Sequence, residues 1–158
     1  MSLHEPANPY KNGTDEAKIW DICVLRDIRS FVAADWEICA ADFTAGSFSG
    51  WDARFSTDPM QWKMTFPTID DYKASWIRDA GLFTGRTWKA PLADSLFGAL
   101  SLLRIEVIGD TSLVHKCFSG HLLPVDGETI PLRWQSIFHL RREDGRWCQA
   151  GFIGYLPL

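Results

Sequence analysis

An ionisable side chain held on an otherwise apolar strand loses solvation and shifts its proton affinity, which suits it to acid–base chemistry. His115 and His139 meet that description. His115 shares a strand face with Leu113, Cys117, Ser119 and His121, and His139 shares one with Gln135, Ile137 and Arg141. Strand alternation groups these residues without saying which face is inside, so each histidine is either a pocket acid–base group or a surface or hydrogen-bonded structural one. Asp52, between Trp51 and Ala53, is a candidate general base or a solvated neighbour of Arg54. On the last strand Trp147, Gln149, Gly151, Ile153 and Tyr155 fall on one face. Gly151 there makes room for a ligand, marks a bulge, or does both. The candidate catalytic set is therefore Asp52, His115, His139 and Tyr155. Trp51, Trp76, Trp134, Gln149 and Gly151 are the candidate ligand-binding residues, although tryptophans at helical or strand spacing fill cores as well as stack on planar ligands.

Other chemistries lack their residues. The four histidines are not at metal-ligating helical spacing, and no glycine-rich loop leads from a strand into a helix to cradle phosphate. A metal site and a cofactor are not expected. Cys23, Cys39, Cys117 and Cys148 each sit in an apolar stretch without a close C-x-x-C pair, as reduced buried thiols do. Net charge is −4 with scattered Lys and Arg, which removes the basic stripe that nucleic-acid binding needs. No apolar run is long enough for a membrane span and no secretory leader pattern opens the chain, so the expectation is a cytoplasmic protein. In 158 residues, 46% are apolar and eight are tryptophan, a surplus of large flat side chains that points to a cavity or an interface.

These residues need elements to position them. Residues 1–13, with Pro6, Asn8, Pro9 and Gly13, read as a frayed or draped arm. Residues 14–158 read as one domain. Thr14 caps a first helix running to about Phe31, with Asp15 and Glu16 favourable in its first turn. Its apolar positions Ile19, Ile22, Cys23, Leu25 and Ile28 make a broad, imperfect stripe. Asp35 caps a short second helix through Phe43, and Thr68 with Asp71 opens a third helix carrying Tyr72, Trp76, Ile77 and Ala80. Trp51 to Phe55 alternates as a strand. From Ala99 the period becomes two, with turns at Gly109-Asp110 and Glu143-Asp144-Gly145 defining two long hairpins. Helices first and hairpins last predict an α+β domain with helices on one face of a mainly antiparallel sheet.

Ala34-Asp35-Trp36-Glu37 running to Phe43, Ile108-Gly109-Asp110-Thr111, and Asp144-Gly145-Arg146-Trp147 follow one another as in SnoaL-like members of the NTF2-like superfamily, which this chain resembles from Thr14 to Tyr155. The resemblance implies N-terminal helices packed in the concave face of a curved, mixed, mainly antiparallel sheet, with a cone-shaped pocket between them. It also implies a homodimer through the outer sheet face. The tryptophan of the last turn motif faces the helices in that fold, which by parity puts Gln149 and Tyr155 inside. The implied function is uptake of a small hydrophobic molecule, with cofactor-independent acid–base turnover of the isomerase, dehydratase or cyclase kind. The alternative is a non-catalytic ligand-binding or dimerisation module, because one fold hosts many functions.

Overall fold

A computed structural model describes residues 4–158. A continuous helical rod opens the domain: α1 Asp15–Trp20, a π-helical segment Asp21–Arg26, and α2 Asp27–Ala33. Thr14 caps it by accepting from the Ala17 amide. The π segment explains the imperfect apolar stripe, since an i→i+5 turn shifts the phase of everything beyond it. Ile19 is buried before the π segment, Ile22, Cys23 and Val24 within it, and Ile28 and Ser30 after it.

Trp36–Ile38 and Ala40–Asp42 form two 3₁₀ turns, where a single short helix was expected. Asp35 caps the first by accepting from Glu37 N at 3.0 Å. The chain then extends so that Phe43 stacks on Trp36 at 4.8 Å between ring centres, a contact that packing favours over helical continuation. Next come β1 Ser49–Asp52 and β2 Lys63–Phe66, then α3 Ile69–Thr84 and α4 Leu92–Ala99. Thr68 caps α3 through the Asp71 amide as its spacing predicts. The β2 strand and the α4 helix were not expected. The C-terminal half is β3 Leu100–Ile108, β4 Thr111–Leu122, β5 Ile130–Glu143 and β6 Arg146–Leu156. At the last hairpin Asp144 and Gly145 both take positive φ, 50° and 75°, the pair of values that a two-residue turn matching the sheet's twist requires.

The six strands form one open sheet in the order β2-β1-β6-β5-β4-β3. Every neighbouring pair is antiparallel except β1 with β6, which is parallel. The fold is therefore α+β with a mixed, mainly antiparallel sheet, its rod, α3 and α4 lying against one face. Trp20, Val24 and Ile28 of the rod pack with Leu96 and Phe97 of α4 and with Leu122 and Leu132 of the sheet. Ile19, Ile22 and Cys23 pack on Val114, Leu140 and Trp147. Asp15 ties the start of the rod to the last hairpin, accepting from Trp147 Nε1 at 3.0 Å and from Arg142 at 3.1 Å. The Trp147 bond, reinforced by Arg142, holds its carboxyl below the usual range.

Residues 4–13 carry no helix or strand. They are nonetheless pinned: Glu5 pairs bidentately with Arg29, Asn8 donates to Ala17 O and Asp21, and Tyr10 packs on the core. All four cysteines are free and buried. Burial pushes the Cys23 thiol up to about 12 and the Cys39 thiol to about 11, so both stay protonated. No helix among the described residues is long and apolar enough to cross a membrane.

Candidate functional site

Between the helices and the concave face of the sheet lies a cavity of about 240 Å³. Its helical wall is Ile28 and Phe31 of α2 with Tyr72, Trp76 and Phe83 of α3; its sheet wall is Phe118, Trp134, Phe138 and Phe152. Strand alternation builds the second wall. Val114, Lys116 and Phe118 of β4 share the inner face with Leu132, Trp134, Ser136 and Phe138 of β5, through register pairs such as Lys116 with Ser136 and Phe118 with Trp134. The aromatic lining interlocks: Trp134 lies 4.7 Å from Phe118 and 5.3 Å from Tyr155, and Phe31 meets Trp76 edge-on at 5.7 Å.

Strand β6 reaches the cavity by a less regular route. Leu140 pairs with Gln149 and His139 with Gly151, which leaves Ala150 as an extra residue and reverses the alternation. Trp147 and Gln149 thus face inward before this bulge and Phe152 and Gly154 after it. A second irregularity sets Gly154 and Tyr155 against Ser136 alone, and Tyr155 takes φ 57°. That turn returns the Tyr155 ring to the cavity mouth. The glycine that opens the wall is Gly154, where a β-carbon would meet the Phe152 ring at 3.2 Å and Ser136 Oγ at 3.6 Å.

One charged pair stands inside this apolar shell. Lys116 Nζ lies 2.6 Å from Asp27 Oδ2, with the lysine side chain 7% and the aspartate side chain 27% exposed. The ammonium also sits 5.3 Å from the Phe138 ring centre and 5.5 Å from that of Phe118. Asp27 is the first residue of α2, directly after the π segment. The cavity holds further polar groups without side-chain hydrogen bonds to other described residues: the Gln149 amide, the Ser136 hydroxyl and the phenols of Tyr72 and Tyr155. Gln149 and Ser136 are only 6% and 5% exposed. Burial, with the Asp27 charge behind it, raises the Tyr72 phenol well above its ordinary value; burial, then Asp79 and Asp52, raises that of Tyr155. Both phenols are hydrogen-bond donors at neutral pH.

Of the residues singled out from the sequence, Trp76, Trp134, Gln149 and Tyr155 line the cavity and the others do not. His115 is on the outer face, its Nε2 2.6 Å from Gln135 Oε1, while Gln135 donates to Pro157 O at 2.7 Å. His139 is exposed on that face; loss of solvation where its ring packs, with the Arg141 charge, lowers its pKa. Asp52 ends β1 and accepts from Arg54 N at 2.8 Å, supporting the left-handed backbone at Arg54 and Phe55. Trp51 pairs with Ile153 on the outer face. Gly151 is also outside, where a side chain would overlap the Ser49 carbonyl and the His139 ring, so its role is to let β1 and β6 pair. The proposed catalytic four are thus not brought together. Asp27, Lys116 and Ser136 went unread and Tyr72 was read only as a packing position of the third helix, although a lysine in phase with Val114 and Phe118 on a strand was a visible signal.

No family model and no curated protein matches the sequence. Solved structures do match. An NTF2-like protein of unknown function from Shewanella baltica is 13% identical, covers 92% of this chain and 96% of its own, and superposes with a TM-score of 0.57. A domain with a cystatin-like fold from Nostoc punctiforme is 14% identical over 94% of this chain and 80% of its own, with a TM-score of 0.60. This chain has the NTF2-like fold. A conserved protein from Planctomyces limnophilus, 13% identical over 91% of this chain and 98% of its own, superposes equally well at 0.60. At such identities the likeness is one of architecture, and the contents of the NTF2-like cone must be argued from this chain's own side chains.

Proposed function

We propose that this NTF2-like chain is a pocket protein of SnoaL-like type for a small, flat, mainly apolar molecule. The observation that carries the reading is the cavity of about 240 Å³, walled by Phe118, Trp134, Phe138 and Trp76 and holding polar groups that no described side chain satisfies. Since a dry cavity of about 150 Å³ accepts benzene, this one has room for roughly ten non-hydrogen atoms. Calorimetric titration with the bicyclic hydrocarbon tetralin tests the reading: saturation at one per chain is expected. Removing the stacking surface with Trp134→Ala is expected to weaken that binding about tenfold. Absence of saturable binding in the parent protein defeats the proposal.

Acid–base turnover of the bound molecule, without a cofactor, is favoured by a separate observation, the buried Asp27–Lys116 contact at 2.6 Å. A carboxylate and an ammonium on one wall can take a proton from one ligand atom and supply one to another. Under this reading Asp27→Asn abolishes turnover while ligand still binds. If turnover survives that change, the Asp27–Lys116 pair is not the acid–base machinery; if the parent protein binds its ligand without turning it over, the chain is the non-catalytic binding module instead.

The outer sheet face supports a homodimer. Trp51, Ile153 and Ile137 are cross-strand neighbours there, half-buried and contiguous. Light scattering on Ile137→Lys is expected to report a monomer where the parent is a dimer. The four unpaired thiols suit a reducing cytoplasm.

A further inference from the structure

The polar wall of the cavity restricts what kind of molecule can enter. An ammonium carries three N–H donors, and among the described residues Lys116 gives only one of them to a side chain, Asp27 Oδ2. The Phe118 and Phe138 rings stabilise its charge but accept no strong hydrogen bond. Lys116 is 6% exposed and Ser136, its register partner, is 5% exposed with no side-chain hydrogen bond of its own. A guest that fills the cavity takes these donors from solvent, which is costly unless it offers them an acceptor.

Charge then decides which acceptor. Lys116 and Asp27 already cancel, and Asp79 adds a further carboxylate at the cavity wall. An anionic ligand would add to the Asp27 and Asp79 carboxylates inside an aromatic shell, and a cationic one, although drawn to Asp79, would meet the Lys116 ammonium at the site of the open donors. A neutral oxygen meets neither cost.

We propose that Lys116, held by Asp27, selects a neutral bicyclic-sized ligand bearing a carbonyl oxygen, with that oxygen accepting from the lysine and the apolar ring system lying against Phe118 and Phe138. The proposal rests on the reading of the cone as a ligand cavity, and the test separates the two. Four probes sharing a fused ten-carbon ring frame are titrated into the full chain: tetralin, 1-tetralone, 1-naphthoate and protonated 1-aminotetralin. A hydrogen bond to a charged donor predicts that 1-tetralone binds about tenfold or more tighter than tetralin. It is also expected to bind tighter than either charged probe.

The variant D27N/K116M removes both charges together, leaves no buried ion alone, and is expected to bring the ratio of tetralone to tetralin affinity to about one. Equal binding of tetralin and tetralone by the parent overturns the selection by Lys116 while leaving the cavity reading in place. Tighter binding of naphthoate or aminotetralin overturns the charge argument. A tenfold ratio that survives in D27N/K116M assigns the oxygen to another donor and overturns the role of Lys116. Binding of none of the four overturns the cavity reading itself.

Discussion

The two faces of the sheet carry similar kinds of polar residue and use them differently. On the outer face His115, Gln135 and Pro157 O form a closed chain, and Arg141 donates to Thr44 at 2.6 Å and to Glu143 at 3.0 Å. On the inner face Lys116 has one carboxylate and two aromatic rings, while Gln149 and Ser136 have no side-chain partner among the described residues. These outer groups are spent on one another; those inside keep capacity for a guest. Open hydrogen-bonding capacity in a recessed, mainly aromatic place, rather than the chemical versatility of histidine, marks the candidate site.

The comparison is broken most forcefully by removing one half of the inner pair. Asp27→Ala leaves the Lys116 ammonium buried without a counter-charge and is expected to cost about 3–5 kcal/mol, the range for orphaning one member of a buried pair. Urea unfolding measures it. D27N/K116M, which orphans nothing, should recover most of that loss. A single-variant cost below about 1 kcal/mol would mean that solvent reaches the pair.

A smaller loss is expected outside. Gly151→Ala drives a methyl group into the Ser49 carbonyl and the His139 ring, and overpacking of this kind costs about 1–3 kcal/mol. Because the strain falls on the parallel β1–β6 seam, tetralin affinity should be unchanged, whereas a glycine serving the cavity would alter it. His115→Ala, which opens the outer hydrogen-bonded chain, should cost about 1 kcal/mol and also leave tetralin binding unchanged.

Much of the architecture was legible in the sequence because the signals were local. Thr14, Asp35 and Thr68 cap as their types predict, and the turns at Gly109 and Gly145 reverse the chain between runs of alternating residues. The misses have physical causes. Lys63–Phe66 is mostly exposed and carries no alternation that could announce β2. Leu92–Ala99 is a helix of eight residues whose N-cap is Pro91, without a side-chain capping bond. The site was harder to see. Alternation separates His115 from Lys116 but does not orient either of them. In β6 two irregularities, at Ala150 and Tyr155, overturn any face assignment carried along the strand. Gln149 and Tyr155 both reach the cavity, but Gly151, placed with them by simple parity, faces away. Only the packed neighbours decide such matters.

The smallest expected effect concerns protons on the outer face. His139 has a folded-state pKa below its ordinary value, first from lost solvation and then from the Arg141 charge. The unfolded chain therefore binds a proton more readily at this position, and the neutral ring's contribution to stability is complete above about pH 6.5. It is lost as pH falls through the lowered value. Urea unfolding of the parent protein at pH 7.5 and at pH 5.5 should therefore show a decline that is shallower in His139→Gln, which cannot take up the proton. Tetralin binding should be equal for the two proteins at both pH values, because His139 lies across the sheet from the cavity. A His139→Gln variant that declines as steeply as the parent would show that the ring is not penalised on protonation. One that loses tetralin binding as pH falls would connect the outer face to the cone and erase the distinction between them.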